Sequence, residues 1–178
     1  MKFSALLIAG TLVVAAGESY GQGIDDPQIA AIVVTANQVD VDAGKLAQHR
    51  AGNSEVGKFA ALMVNDHEGV NKQAVALATR LKVTPQENDT SRALKAAGDK
   101  NAAHLKTLSG AAFDKAYVDH EVVYHAQVLD ALDKTLIPGA SNAELKALLV
   151  KVRPAFVAHL EHAKQLQTSL DASRRDRP

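Results

Sequence analysis

The sequence predicts an all-α protein, an antiparallel four-helix bundle with one or two of its helices broken into segments. Three observations predict it. Apolar residues recur at spacings of three and four along four long stretches, which marks one buried face per helix. Alanine and leucine are abundant while aromatic residues make up only 4% of the chain, a composition suited to close-packed helices rather than strands. The connections between the stretches are short, so consecutive helices turn back and bury their stripes against one another.

The chain opens with Lys2 and then an apolar run from Ala5 to Ala16. That run matches a signal-peptide core and is too short to span a bilayer. Residues 1–21 are therefore expected to be a signal peptide, cut after Gly21, which makes the mature protein periplasmic. No cysteine stands near the cleavage region for a lipid anchor, and no later run is long enough for a transmembrane segment. Residues 22–172 form one expected helical domain.

Asp25 or Asp26 with Pro27 supplies an N-cap and a first-turn proline, so the first helix starts there. Its stripe is Ile29, Val33, Ala36, Asp40, Ala43 and Ala47, and it ends near Gln48, where His49-Arg50 suits the helix dipole. Ala51 to Ser54 is the turn. The second helix, about Ser54 to Leu81, carries Val56, Phe59, Met63, His67, Val70, Ala74, Leu77 and Leu81. Lys82 to Asp89, with Thr84-Pro85, is the longest connection. Thr90 to Leu108 is helical but weakly amphipathic, its better side being Leu94, Ala97, Asn101, Leu105 and Leu108. After Ser109-Gly110, a helix over about Ala111 to Leu136 shows Val118, Val122, His125, Leu129, Leu132 and Leu136. Ile137 to Ala140 ends it. Ser141 with Glu144 matches a capping box, and the last stripe is Leu145, Leu148, Val152, Phe156, His159, Ala163, Leu166 and Leu170. Pro154 is expected to kink or split that helix. Residues 173–178, with three arginines and no apolar side chain, read as a disordered basic tail.

Composition narrows the function classes. Lysine and arginine total 20, as do aspartate and glutamate, so no electrostatic footprint for nucleic acid exists. With no cysteine, disulfides, thiolate metal sites, cysteine nucleophiles and covalent haem attachment are excluded. There is no glycine-rich phosphate loop and no nucleophile signature. No residue is nominated as catalytic.

One set of residues breaks the apolar pattern. Asp40, His67, His125 and His159 each fall on the buried stripe of a different long helix. A polar group there needs a hydrogen-bond or metal partner. Facing helices build metal sites by projecting one ligand each into the core, and imidazoles with a carboxylate suit a divalent transition metal: zinc, iron, manganese or copper. The other reading is a buried hydrogen-bond network in which Asp40, Asn37, Asn71 or a tyrosine satisfies the rings. The carboxylate-bridged di-iron template requires Glu-x-x-His, which does not occur. His120-Glu121-Val122-Val123-Tyr124-His125 is one residue longer than the zinc-protease motif, and at ~100° per residue its histidines lie roughly 140° apart. His120 reads as a surface or boundary residue, His162 as the edge of a stripe, His49 and His104 as surface, and Met63 as core filler.

Phe59-Ala60-x-x-Met63-Val64-x-Asp66-His67-x-x-x-Asn71, then Phe113-Asp114-x-x-Tyr117-Val118 with His125, and His159-Leu160-x-x-Ala163 together resemble the exported bacterial family called domain of unknown function 4142. The resemblance covers about Asp26 to Leu170. It implies a ferritin-like fold and export, and carries family histidines onto His67, His125 and His159. Asn37 and Asp40 fall where the family has Asn followed by Glu, so Asp40 shortens that carboxylate by one methylene. The outer-membrane label often given to the family does not fit a chain without alternating barrel strands. Two functional classes follow: an exported metal-binding protein, or a non-catalytic envelope or stress-related interaction protein whose buried histidines form a structural network.

Overall fold

The structure, a computed structural model, describes residues 23–175. Residues 1–22, which hold the expected signal peptide, and residues 176–178 lie outside the described residues. Within them the chain is all-helical, with no strand. No described helix is long and apolar enough to cross a membrane.

Helix α1 spans Asp26–Arg50. Asp25 accepts from the Gln28 backbone N–H at 2.9 Å while the Gln28 side chain accepts from the Asp25 N–H at 3.2 Å, a reciprocal cap that satisfies two otherwise unpaired donors. The helix runs slightly past Gln48, its end held where the Arg50 guanidinium donates to the Leu108 carbonyl at 2.8 Å. Helix α2, Ser54–Leu81, starts at the N-cap Asn53 and stops where Lys82 turns left-handed at φ 56°. Helix α3 is Asp89–Lys106, capped by Asn88 and Ser91. Leu94, Leu105 and Leu108 of its expected side pack inward, but Ala97 is exposed and the neighbouring Gly98 lies against Val39 instead.

Helix α4, Gly110–Ala131, does not run regularly to Leu136. A π-helical turn at Leu132–Leu136 and a short helix α5, Ile137–Gly139, intervene, so the break falls here rather than at Pro154. Helix α6 spans Ala143–Arg175 with Pro154 inside it. Pro154 cannot donate to the Val150 carbonyl, and both residues are exposed, so that carbonyl faces water. The cap of α6 also corrects the sequence reading. Asn142, not a Ser141–Glu144 box, accepts from the Glu144 and Leu145 N–H groups. At the other end the helix continues to Arg175, into the segment expected to be a tail.

Pairings fix the directions of the helices. Asn37 meets His67 and Gly44 meets Val64, so α1 and α2 are antiparallel. Asp66 pairs with His159, Gln73 with Lys151 and Arg80 with Glu144, which sets α2 against α6 the same way. Lys115 pairs with Asp171, Asp119 with Gln167 and Asp133 with Arg153, so α4 opposes α6. Tyr124 reaches the Ala36 carbonyl while Arg50 reaches Leu108, which opposes α4 to α1. Helix α3 lies parallel to α1 on the outside, from Asn88 at Gln28 to Gly98 at Val39.

Two apolar clusters result. One gathers Ile29, Ile32, Leu77, Leu136, Leu149 and Phe156. The other gathers Ala47, Phe59, Met63, Phe113, Tyr117 and Ala163. Carboxylates, Asp26 half-buried and Asp114 buried, clamp the turns at both ends. Asp26 accepts from the Ser141 and Asn142 N–H groups, each at 2.9 Å. Asp114 accepts from those of Gly52 and Asn53, also at 2.9 Å. Removing the Asp114 carboxylate leaves two part-buried donors without their charged acceptor. Asp114→Ala should therefore lower the unfolding free energy by about 2 kcal/mol, read as a lower urea midpoint at unchanged slope, with Asp114→Asn falling between.

Candidate metal centre

Between the two apolar clusters the helices bring a set of polar side chains into the interior. Helix α1 places Asn37 and Asp40 on one face, three residues apart. Helix α2 supplies His67, α4 supplies Glu121 and His125 one turn apart, and α6 supplies His159. None of these six is more than 3% exposed. The structure thus brings Asp40, His67, His125 and His159 into one layer. The three rings form a near-equilateral triangle, with centroids 5.5 Å apart for His67–His125, 5.3 Å for His67–His159 and 5.4 Å for His125–His159. Phe156 stacks on His67 at 5.0 Å and 6°, closing one side.

Each ring has one nitrogen tied outward. Asn37 donates from Nδ2 to the Val33 carbonyl at 2.7 Å, which turns its Oδ1 toward His67 Nδ1 at 2.8 Å. That nitrogen must carry the proton, so in the neutral ring Nε2 presents a lone pair. His125 repeats the pattern with the backbone: Nδ1 lies 3.0 Å from the Glu121 carbonyl. In His159 the roles reverse, and Nε2 lies 2.9 Å from Asp66 Oδ2. The remaining nitrogens, His67 Nε2, His125 Nε2 and His159 Nδ1, are buried with no hydrogen-bond partner among the described residues. Asp40 Oδ2 stands 2.9 Å from His67 Nε2 and 3.5 Å from His125 Nε2. Neither approach is aligned as a hydrogen bond, since both Asp40 oxygens also lack a partner.

Glu121 belongs to the same layer and was missed in the sequence. It is fully buried, and neither of its carboxylate oxygens has a hydrogen-bond partner. The stripe through Val118, Val122 and His125 drew attention to one edge of α4. The spacing of four from Tyr117 through Glu121 to His125 was the signal that would have found it. Asp66, beside His67 in sequence, was also missed as the outer partner of His159. Asn37 was named as a possible partner and does hold His67. Asn71 and the tyrosines do not contact the rings by hydrogen bonds: Asn71 Oδ1 and Tyr117 OH lack partners, and Tyr124 donates to the Ala36 carbonyl. His120 stacks on Tyr124, and His162 packs edge-on against Phe59. His49 and His104 are exposed.

Burial sets the electrostatics, and the neighbours decide the sign. Burial pushes the Asp40 carboxyl up, but the imidazoles of His67, His125 and His159 together outweigh it and hold it below the usual carboxylate range. Glu121 goes the other way. Burial, reinforced by the Asp40 charge, raises its carboxyl well above the ordinary value. Burial, with Glu121 and Asp40 adding to it, raises the Tyr117 phenol. Burial also lowers His159, with His67 and His125 opposing the Asp66 carboxylate, so this ring keeps its lone pair below the usual imidazole range.

Three imidazoles and two carboxylates converging from four helices define a class of buried centre whose donor atoms suit a metal cation. The profile of the family described as "Domain of unknown function (DUF4142)" matches residues 13–166, and the chain belongs to that family. No curated protein and no solved structure matches the chain.

The raised Glu121 carboxyl makes a pH prediction for metal-free protein. Its folded-state value lies above its unfolded value of 4.5, so between the two the native state binds more protons. Its contribution to stability is present below 4.5 and is lost as pH rises through the folded value. Glu121→Gln removes that ionisation. In chelator-treated samples the variant should lose less stability than the wild type as pH rises above 4.5, read as the difference in urea midpoints. Parallel pH profiles would show that Glu121 ionises as freely in the native state as in the unfolded chain.

Proposed function

We propose that this protein is an exported, ferritin-like four-helix bundle that binds a divalent transition metal between its helices through His67, His125 and His159, with Asp40 as the neighbouring carboxylate. One observation carries this reading. The ligand-capable atoms of the three histidines lie within 4.8 Å of one another, and each ring offers inward a nitrogen that nothing else satisfies. The outward ties to Asn37, the Glu121 carbonyl and Asp66 are the kind of support that orients metal-binding imidazoles and fixes their tautomers. The spacing supports it too. Two ligand atoms at ordinary metal distances and roughly right angles stand about 3 Å apart, close to the 2.9 Å between His67 Nε2 and Asp40 Oδ2. Zinc, iron, manganese and copper all accept such donors.

The outward hydrogen bonds equally favour a second reading, a structural network in a non-catalytic envelope or stress-related protein. That reading leaves the inner nitrogens and both carboxylates unpaired, at a cost of about 1–3 kcal/mol for each such group. The two are separated by protein purified without a histidine tag. The metal reading expects close to one metal ion per chain. It also expects His67→Ala and His125→Ala to couple in a double-mutant cycle by ~0.5–3 kcal/mol, and the coupling to collapse after chelation. Coupling that persists undiminished in metal-free protein identifies the network. Export is tested by the intact mass of periplasmic protein. It should begin near Gln22, and a mass retaining residues 1–16 would overturn that part.

A further inference from the structure

Glu121 is not used by the three-histidine set, yet it is fully buried on α4 with both carboxylate oxygens unpartnered. Its Oε2 lies 3.3 Å from His125 Nδ1, but the proton on that nitrogen is directed to the Glu121 carbonyl. The ligand-capable atoms of Asp40, Glu121 and His125 lie within 4.8 Å of one another, and His125 is also one of the three-histidine group. The two groups therefore meet at His125, with Asp40 bridging toward His67 at 2.9 Å. We propose that Glu121 is a second anionic ligand of the same ion, which makes the centre a five-residue set of three nitrogen and two oxygen donors.

Charge is the physical reason. Neutral imidazoles contribute none, so a divalent ion held by them and Asp40 alone carries a net positive charge into an interior that tolerates unpaired charge poorly. Adding the Glu121 carboxylate brings the sum to zero. The same set discriminates among metals. A monovalent ion would leave the layer negative, and zinc in closed sites takes four ligands. Five protein donors with a strong oxygen share suit a divalent ion that accepts five or six, such as iron(II) or manganese(II). This inference rests on the metal reading and deepens it.

Cobalt(II) is the probe, added to the purified metal-free mature protein. Four-coordinate cobalt(II) absorbs visible light several-fold more strongly than five- or six-coordinate cobalt(II). The wild type should give the weak spectrum. Glu121→Gln should weaken cobalt binding by roughly tenfold or more and strengthen the absorption per bound ion. An intense four-coordinate spectrum in the wild type overturns the proposal while leaving the three-histidine site standing. So does a Glu121→Gln protein with unchanged affinity and spectrum. Absence of any cobalt uptake by the wild type overturns the metal reading itself and this inference with it. If the variant does not recover wild-type helicity, the wild-type spectrum still decides.

Discussion

A polar layer sits where a helical core would ordinarily be continuous, and the rest of the structure is arranged around keeping it dry and in register. Apolar contacts lie to either side of it, one cluster through Ile29, Leu149 and Phe156 and another through Phe59, Met63 and Tyr117. Between them stand Asp40, His67, Glu121, His125 and His159. Each unpaired buried group there costs about 1–3 kcal/mol, against a total stability of about 5–15 kcal/mol for a typical domain. The two clusters and the carboxylate clamps at the turns must offset that cost. A helical core built only for stability would place leucine in these positions.

The layer is not equally rigid on all sides. His67 is fixed on α1 by Asn37, itself tied to Val33, and is covered by Phe156. His125 is fixed by the backbone of its own helix. His159 alone depends on a carboxylate with substantial solvent contact, the Asp66 side chain being 33% exposed. The α2–α6 seam is therefore where the interior is one hydrogen bond from water. On the opposite side Tyr124, anchored to the Ala36 carbonyl, closes the α1–α4 seam.

Much of this was legible in the sequence because periodicity reports directly on burial. His67, His125 and His159 fall in line with Met63, Leu132 and Phe156, and a helix cannot bury those residues without burying the rings. Caps were legible where the side chain acts locally, as at Asp25. They were misread at Ser141, whose own N–H is taken by Asp26 from the far end of α1, a contact no local pattern contains. Glu121 was hidden for a different reason. A charged residue next to an apolar stripe is normally solvated, and only the pairing of α1 with α4 shows that this one faces Asp40. Pro154 was expected to interrupt α6, but it sits on a solvent face where a missing hydrogen bond is replaced by water. The π-helical turn at Leu132–Leu136 depends on how α4 meets α5 and α6, and has no counterpart in periodicity.

The seam between α1 and α2 beside Asp40 is set one turn further along α1. A side chain at Gly44 would meet Val64 Cγ2 at 2.8 Å and the Ala60 carbonyl at 3.2 Å, so only glycine permits the separation at which α1 and α2 lie. At that separation Asp40 reaches the ring of His67 at 2.9 Å, and Glu121 of α4 brings its carboxylate to the same Asp40 and to His125.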